Sequence, residues 1–334
     1  MQFQVSSFKF RIGHEVTINP PPTKLHAPES SGLVRRLLGD YHVTGVFWYR
    51  LHIRGLQIIP EWTKTPVIHI FSAFFFIALR RIRSAIAFNL VPVLGHAGWW
   101  ERQRRIWRTM KTFAWCLNER YENLNGDLEL QADIEGEEFW RNAVAGGRGL
   151  IVVTAHIGHW EVGAQLPTLR EGQTVHVVRE AEVDPKAQEL VRRLMQDASG
   201  GRFQVHFSDE ADTGFGARLL AALRRGDIIA LQGDRPRAGG QTLTTRMFDR
   251  DFSVPVGPAA LARAAQVPLL PVFIFRDGRA RSRVSIRRPI EVERTTNRDR
   301  DLQTAMQTVT TEIESAIRFR PHQWFCFNRV WKQK

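Results

Sequence analysis

The sequence predicts an α/β fold in which a mostly parallel central sheet is flanked by helices, together with an N-terminal helical segment that associates with a membrane. Three observations support this fold class. From about residue 123 onward, short apolar runs alternate with helical patterns, which is typical of a parallel sheet covered on both faces. Residues 33–122 have a mainly helical pattern with bulky apolar side chains. A hydrophobic content of 43% supplies a substantial core and excludes general disorder.

The chain of 334 residues is predicted to have three parts. Residues 1–32 are expected to form an arm or loop, because they contain three consecutive prolines and a second cluster rich in proline, serine and glycine. Residues 33–122 form the helical, membrane-associating region, and residues 123–334 form the α/β domain. The first residues lack the apolar core and the cleavage site of a secretory signal.

The N-terminal region contains the longest uncharged apolar stretch, residues 65–79. It is too short to cross a bilayer, since a spanning helix needs about 20 residues. Arg80, Arg81 and Arg83 follow it directly. An apolar stretch beside a basic cluster fits an interfacial segment on an anionic membrane surface, and a buried core helix is the alternative. The sequence predicts membrane association without specifying a crossing helix.

Charge and cysteine content limit the partners and the compartment. The net charge of +13 is concentrated in residues 80–111 and 276–288. Such clusters suit an anionic membrane, a nucleic acid or an acidic protein, although a solvated basic face without a specific ligand is the alternative. Cys116 and Cys326 show no disulfide or zinc spacing, which favours a reducing compartment.

Strands and helices are predicted to alternate through the second half of the chain. The strand patterns lie at 150–154, 174–178, 203–207, 227–231, 268–275 and 282–288. The helical patterns lie at 160–170, 185–198, 215–225, 257–266 and about 299–318. In open sheets of this kind, ligands bind beyond the carboxyl ends of the strands. The residues that follow each strand are therefore the candidates for a functional site.

His156 and Glu161 follow the buried strand at 150–154. On one continuous helix they would lie about 140° apart, but across a strand-to-helix turn Glu161 can fold back onto His156. A carboxylate at one ring nitrogen fixes the tautomer and leaves the other nitrogen free to take a proton. A structural histidine is one alternative. A metal site with His159 is another, disfavoured because the spacing is not H-E-x-x-H.

Other strand ends carry polar side chains that are predicted to face the same crevice. Asp234 and Arg235 follow one predicted strand, Arg179 follows another, and Arg276 follows a third. Each arginine alone is more often an ordinary surface charge. Because successive parallel strands end at the same edge of a sheet, these groups together with His156 indicate a crevice for an anionic substrate.

Several motifs occur in order along the chain. They are His156-Ile-Gly-His-Trp-Glu161 with the preceding residues from Gly147, the segment Arg83–Leu90, the segment Gly257–Arg263 leading into Pro271, and Pro321-His-Gln-Trp324. The first resembles the H-x4-[DE] motif of the lysophospholipid acyltransferase superfamily. In this order, from about residue 80 to the end, they resemble the bacterial lipid A late acyltransferase branch, whose C-terminal signature is P-x-x-W.

The resemblance implies transfer of a fatty acyl chain from a thioester to a hydroxyl. The donor would be acyl carrier protein or acyl-CoA, and the acceptor a glycolipid or lysophospholipid. His156 would be the general base, and Glu161 would orient it and stabilise its cationic form. No metal or other cofactor is implied, and no nucleic acid. The implied location is the cytoplasmic face of a bacterial inner membrane, with peripheral or shallow insertion.

The resemblance also implies roles for the remaining residues. Arg179 and Arg235 would hold phosphate or other anionic groups, and Asp234 would orient Arg235. A backbone amide near Gly158 would stabilise the oxyanion. The family usually has Asn where this chain has His159.

Two departures and two alternatives qualify the predicted activity. Many relatives have a clear N-terminal membrane span, and some lipid A enzymes have an acidic D-x-D motif where this chain has Asp-Arg-Pro after Gly233. The acceptor is therefore predicted only as a glycolipid or lysophospholipid. The alternatives are a non-catalytic basic protein that binds anionic membrane or nucleic acid, and a thioesterase that uses the same dyad with water as the acceptor.

Overall fold

A computed structural model describes residues 54–55, 58–160, 172–181, 184–208, 214–237 and 239–331. Three helices come first: α1 (Glu61–Ala78), α2 (Arg80–Leu94) and α3 (Trp99–Leu124). The elements that follow are β1 (Gln131–Glu135), α4 (Glu137–Ala145), β2 (Leu150–Thr154), β3 (Val175–Glu180), α5 (Pro185–Ala198), β4 (Phe203–Ser208), α6 (Phe215–Arg225), β5 (Ile228–Gln232), β6 (Thr242–Met247), β7 (Arg250–Pro255), α7 (Gly257–Ala265), β8 (Leu269–Arg276), β9 (Arg281–Ile286) and α8 (Arg298–Phe319).

Seven strands form one sheet in the order β1-β9-β8-β2-β5-β3-β4. Its neighbouring strands are parallel except for β8 and β9. This arrangement confirms the predicted α/β fold with a mostly parallel sheet. β2 is a central strand, and its apolar residues 150–153 are all buried, as expected for a strand covered on both faces.

Helices cover both faces of the sheet. Successive side chains of a strand point to opposite faces, so each strand contributes to two cores. Ile151 and Val153 of β2 pack in a core shared with α6, α7 and α8. Leu150 and Val152 pack on the other face, in a core shared with α4. The centre of the sheet is thus buried on both faces, and a substrate can bind only at the carboxyl ends of its strands.

A separate antiparallel hairpin, β6–β7, was not predicted from the sequence. Its two-residue turn is formed by Phe248 and Asp249, which have φ values of 50° and 57°. Turns of this conformation usually carry Asn-Gly or Asp-Gly, so the Phe-Asp pair gives no turn signal. The short elements β1 and α4 were also not predicted, whereas the predicted arm 1–32 and nearly all of the helix predicted at 160–170 lie outside the described residues.

The helices α1, α2 and α3 pack around a small apolar cluster that contains Ile86, Leu90, Ile106 and Met110. In α1 only Ile68 and Ser72 are buried. Among the described residues, no single helix combines the length and apolar composition needed to cross a membrane. Helices α1 and α2 meet that requirement only as a pair, and they are bent by 90° where they meet. The predicted boundary between this region and the α/β domain stays a prediction.

Candidate active site

His156 and Asp234 lie side by side at the carboxyl edge of the sheet. β2 and β5 are parallel neighbours, with Thr154 opposite Gln232. His156 and Asp234 each lie two residues beyond that last pair, so the register itself brings them together. The Nδ1 atom of His156 lies 2.8 Å from Oδ1 of Asp234.

The Asp234 carboxyl is fully buried and has three donors. Besides the ring of His156, the backbone N–H of His156 and the indole N–H of Trp324 each donate to Oδ2 over 3.2 Å. Burial by itself would raise the pKa of Asp234, but the charge and hydrogen bonds of His156 and the charge of Arg235 outweigh it. They hold the pKa of this carboxyl well below its usual range. Asp234 is therefore a carboxylate that accepts at both oxygens.

Arg235 and Asp234 both approach Nδ1 of His156, and the contact with Asp234 decides the tautomer. Nε of Arg235 lies 3.2 Å from Nδ1 of His156, so Nδ1 faces both a cation that can only donate and a carboxylate that can only accept. It cannot accept from Arg235 and donate to Asp234 at once. The contact with Asp234 is shorter and charge-assisted, so Nδ1 carries the hydrogen and donates to Asp234. Nε2 is left with its lone pair, as a general base requires.

The role predicted for Asp234 changes with this geometry. The sequence predicts that Asp234 orients Arg235, but Nε of Arg235 is 3.9 Å from the carboxylate. The ring of His156 is the nearer partner of Asp234. Asp234 therefore orients the imidazole, which is the role predicted for Glu161. Glu161 itself lies outside the described residues, and its assignment stays a prediction.

A cluster of aromatic side chains lies beside His156. The ring of Trp160 lies 5.5 Å from that of His156 between centroids, and it contacts Phe113 and Phe325 in turn. The side chain of His156 is 18% exposed, so a substrate can reach it. An apolar wall beside a reachable base suits a substrate with an acyl chain, because such a wall excludes water.

Gly158 allows the chain to pass close beneath the end of β8. Its φ is +55°, and a Cβ at this position would collide with the carbonyl oxygen of Ile274. Its N–H donates to the carbonyl of Gln323 over 3.0 Å. The Gly158 amide, one candidate for the predicted oxyanion donor, is therefore already engaged within the fold. The contribution of Gly158 is that its backbone can approach the backbone of Ile274 closely.

The two other predicted arginines lie at neighbouring strand ends. Arg179 is near the end of β3, and β5 separates β3 from β2. Its predicted role in anion binding stays a prediction. Arg276 ends β8 and donates to both carboxylate oxygens of Glu119, over 2.8 Å and 2.9 Å. Arg276 is therefore part of a buried ion cluster, and its guanidinium is already paired with the carboxylate of Glu119.

Trp324 is the site residue that sequence reasoning missed, although the signal was present. The P-x-x-W signature was recognised as a motif, but nothing in the sequence tied it to His156. In the structure, the N–H of Phe325 donates to the carbonyl of His156 over 2.8 Å, and Trp324 bridges to Ile157. The C-terminal segment therefore packs directly against the loop that carries His156.

Asn89 of α2 holds that C-terminal segment in place. Its side-chain amide donates to the carbonyls of Cys326 and Asn328, over 3.1 Å and 2.7 Å. Its Oδ1 accepts from the N–H of Val330 over 3.2 Å.

In the part of the chain that the structure describes, no group of His, Cys, Asp or Glu side chains is arranged to hold a metal ion.

Comparison with known proteins identifies the family of the chain. No curated protein matches the chain significantly. Among solved structures, the chain is similar to the 1-acyl-sn-glycerophosphate (LPA) acyltransferase of Thermotoga maritima, with 14% identity, a TM-score of 0.36, and coverage of 76% of this chain and 97% of that one. The family model for bacterial lipid A biosynthesis acyltransferases matches residues 38–333, a range that includes His156, Asp234 and Trp324. The chain belongs to the bacterial lipid A biosynthesis acyltransferase family and is an acyltransferase.

Proposed function

We propose that this acyltransferase moves a fatty acyl chain from the thioester of acyl carrier protein or CoA to a hydroxyl of a glycolipid or lysophospholipid. The observation that carries the proposal is the His156–Asp234 pair, with the buried carboxylate 2.8 Å from Nδ1. This pair leaves Nε2 as a base at the open edge of the sheet. The apolar wall around Trp160 supports an acyl substrate.

In this reaction, Nε2 of His156 takes the proton of the acceptor hydroxyl as its oxygen attacks the thioester carbonyl carbon. The imidazolium that forms is stabilised by the Asp234 carboxylate. When the tetrahedral intermediate collapses, the carbon–sulfur bond breaks and the departing thiolate takes the proton from His156. The products are the acylated lipid and the free thiol of the carrier, and the enzyme returns to its starting state.

Arg235 supplies the positive charge nearest to this base. Its guanidinium lies 3.2 Å from the imidazole, close enough to contact an anionic group of a substrate bound at His156. We propose that Arg235, together with Arg179 near the end of the neighbouring strand β3, holds phosphate groups of the donor or acceptor.

The test of the proposed activity is a transfer assay with labelled acyl carrier protein or acyl-CoA and extracted lipids, followed by mass spectrometry of the products. Wild-type protein should yield a lipid that has gained one acyl chain, and His156→Ala should yield none while keeping its thermal stability. Release of free fatty acid without an acylated lipid would identify a thioesterase instead. Turnover by His156→Ala would refute the proposed base.

Membrane association is part of the proposal, and an exposed apolar face of α1 supports it. Ile70, Phe71, Phe74 and Ile77 are all more than half exposed. α1 runs antiparallel to α3, since Lys64 pairs with Glu122 while Phe76 lies against Trp107. The end of α1 therefore lies near the start of α3, where Trp99 and Trp100 are exposed by 58% and 81%.

Basic residues border this apolar face, and the combination suits an anionic leaflet. Arg80 and Arg81 at the start of α2, and Arg102 and Arg104 on α3, are exposed. We propose that these side chains contact lipid headgroups while the aromatic residues enter the interface. Acyl carrier protein and CoA are cytoplasmic, so we place the protein on the cytoplasmic face of a bacterial inner membrane, with peripheral or shallow insertion.

Flotation with lipid vesicles tests the surface directly. Phe71→Ser with Phe74→Ser should weaken binding to vesicles that contain phosphatidylglycerol, because less apolar area is buried. Val330→Ser changes a partly buried side chain that packs against the main core instead of this exposed face, and it should bind like wild type. Binding equal to wild type by the Phe71 and Phe74 variant would refute the surface. Strong, salt-dependent binding to RNA or DNA would favour the nucleic-acid alternative.

A further inference from the structure

His159 lies in the same loop as His156, but it points into the protein. Its side chain is fully buried and links two other elements. Nε2 lies 2.9 Å from Oε2 of Glu119 on α3, and Nδ1 lies 2.8 Å from the hydroxyl oxygen of Ser282 on β9. Because buried polar groups need hydrogen-bond partners, these two bonds determine where this part of the loop can lie.

Glu119 is a firmly held anchor for that bond. Arg276 donates to both of its oxygens, and the N–H of Ala280 donates to Oε1 over 3.3 Å. Burial raises the pKa of Glu119, but the hydrogen bonds from His159 and Arg276 outweigh it, and the pKa is lowered overall. As an ionised carboxylate it can only accept. Nε2 of His159 therefore carries the hydrogen of this bond, and Nδ1 forms the second bond with the hydroxyl of Ser282.

The segment between the two histidines is short and fixed along its length. The carbonyl of His156 accepts from the N–H of Phe325, and the N–H of Gly158 donates to Gln323. Gly158 also has a positive φ and no room for a side chain. Since this backbone has little freedom to adjust, a displacement of His159 is transmitted to the ring of His156.

We propose that His159 is a positioning residue: its bond to Glu119 holds the loop so that the imidazole of His156 meets Asp234. This inference rests on the proposed function above. His159 touches no reacting atom, because it is buried between α3 and β9. Its loss should therefore disturb the orientation of the base and leave substrate binding unchanged.

Three substitutions of His159 distinguish the hydrogen bond of Nε2 from that of Nδ1. A glutamine amide reaches the position of Nε2, whereas an asparagine amide reaches only that of Nδ1. His159→Leu removes both bonds, and we expect kcat to fall roughly 10- to 100-fold with little change in KM. His159→Gln keeps a donor for Glu119 and should retain most of kcat. His159→Asn keeps only the contact with Ser282 and should resemble His159→Leu.

A second buried histidine provides the control. His176 of β3 is buried and bonds to Asp227 over 3.3 Å, away from the loop of His156. His176→Gln should lower the thermal stability and leave kcat unchanged. A wild-type kcat in His159→Leu, or an equal loss in His159→Gln and His159→Leu, would overturn the proposal.

Nitrogen NMR of labelled histidine gives a measurement that does not depend on turnover. Wild-type protein should show His156 with its hydrogen on Nδ1, and His159→Leu should show a mixture of tautomers. If the wild-type protein transfers no acyl chain, the proposed function fails, but this spectrum still decides the role of His159. An unchanged tautomer of His156 in His159→Leu would contradict the positioning role.

Discussion

At the residue scale, the indole of Trp324 is a donor that the Asp234 carboxylate needs. Its N–H donates to Oδ2 over 3.2 Å inside the protein. Trp324→Phe keeps most of the apolar volume and removes that donor. A hydrogen bond to a charged group contributes about 1.5–3 kcal/mol, so we expect kcat to fall about tenfold or more. Steady-state kinetics check this, and an unchanged kcat would show that the indole only fills space.

Gly158 gives a second prediction at this scale. Gly158→Ala introduces a methyl group against the backbone of Ile274 and forces alanine into a positive φ. The φ strain alone costs about 1–3 kcal/mol. Gly126→Ala is a matched control, since Gly126 has a φ of +78° with nothing within 4 Å of a Cβ. Urea unfolding should show a larger loss for Gly158→Ala, and equal losses would contradict the close approach.

At the scale of elements, β3 and β4 are joined by a pair of histidines that makes stability depend on pH. Nδ1 of His176 lies 2.8 Å from Nε2 of His206, and the other nitrogen of His176 meets Asp227. Burial lowers the pKa of His206 below 6.5, and the charges of His176, Arg218 and Arg192 lower it further. The folded protein therefore binds fewer protons at His206 than the unfolded chain does between that lowered pKa and 6.5.

In this window the free energy of unfolding rises with pH, because the unfolded state takes up more protons. Stability should consequently fall as the pH drops below 6.5. Urea unfolding at pH 7.5 and 5.5 measures the effect, and His206→Gln should reduce the difference between the two. An equal pH dependence in wild type and His206→Gln would show that other groups carry it.

The elements around the site were largely predictable, and their contacts were not. The runs at 150–154 and 227–231 identified β2 and β5, since β-branched apolar residues mark buried strands. That placed His156 and Asp234 at strand ends. Their pairing depends on β2 and β5 being neighbours in register, and strand order is a long-range property that local patterns do not encode. The partner of His156 predicted from the sequence is therefore Glu161, the carboxylate nearest along the chain, and that assignment stays a prediction.

The long-range contacts of the C-terminal segment escaped prediction for the same reason. Trp324 is 90 residues from Asp234 along the chain, and Asn89 is 237 residues from Cys326. The resemblance identified both segments as motifs without saying that they meet. The β6–β7 hairpin was missed for a local reason, because Phe248 adopts a positive φ that its residue type rarely takes.

At the scale of the whole molecule, a partly buried ion cluster connects the helical N-terminal region to the sheet. Arg279 donates to Glu61 of α1 over 2.8 Å and to Glu122 of α3 over 2.6 Å, and the hydrogen bond from Arg279 lowers the pKa of Glu61 to about 2. We expect α1, and with it the proposed membrane face, to keep a fixed orientation relative to the site. With that orientation, the carboxyl edge of the sheet would keep a constant position relative to the lipid.

The central claim is that His156, held by the Asp234 carboxylate, is the base of acyl transfer. The most direct measurement compares the transfer rates of wild type, Asp234→Asn and Glu161→Gln, with thermal unfolding as the control for folding. Asparagine keeps the shape of Asp234 but cannot stabilise an imidazolium, so kcat should fall roughly 100-fold or more without a matching change in KM. A folded Asp234→Asn variant that transfers acyl chains at the wild-type rate, with Glu161→Gln inactive, would contradict this claim and assign the partner of His156 to Glu161.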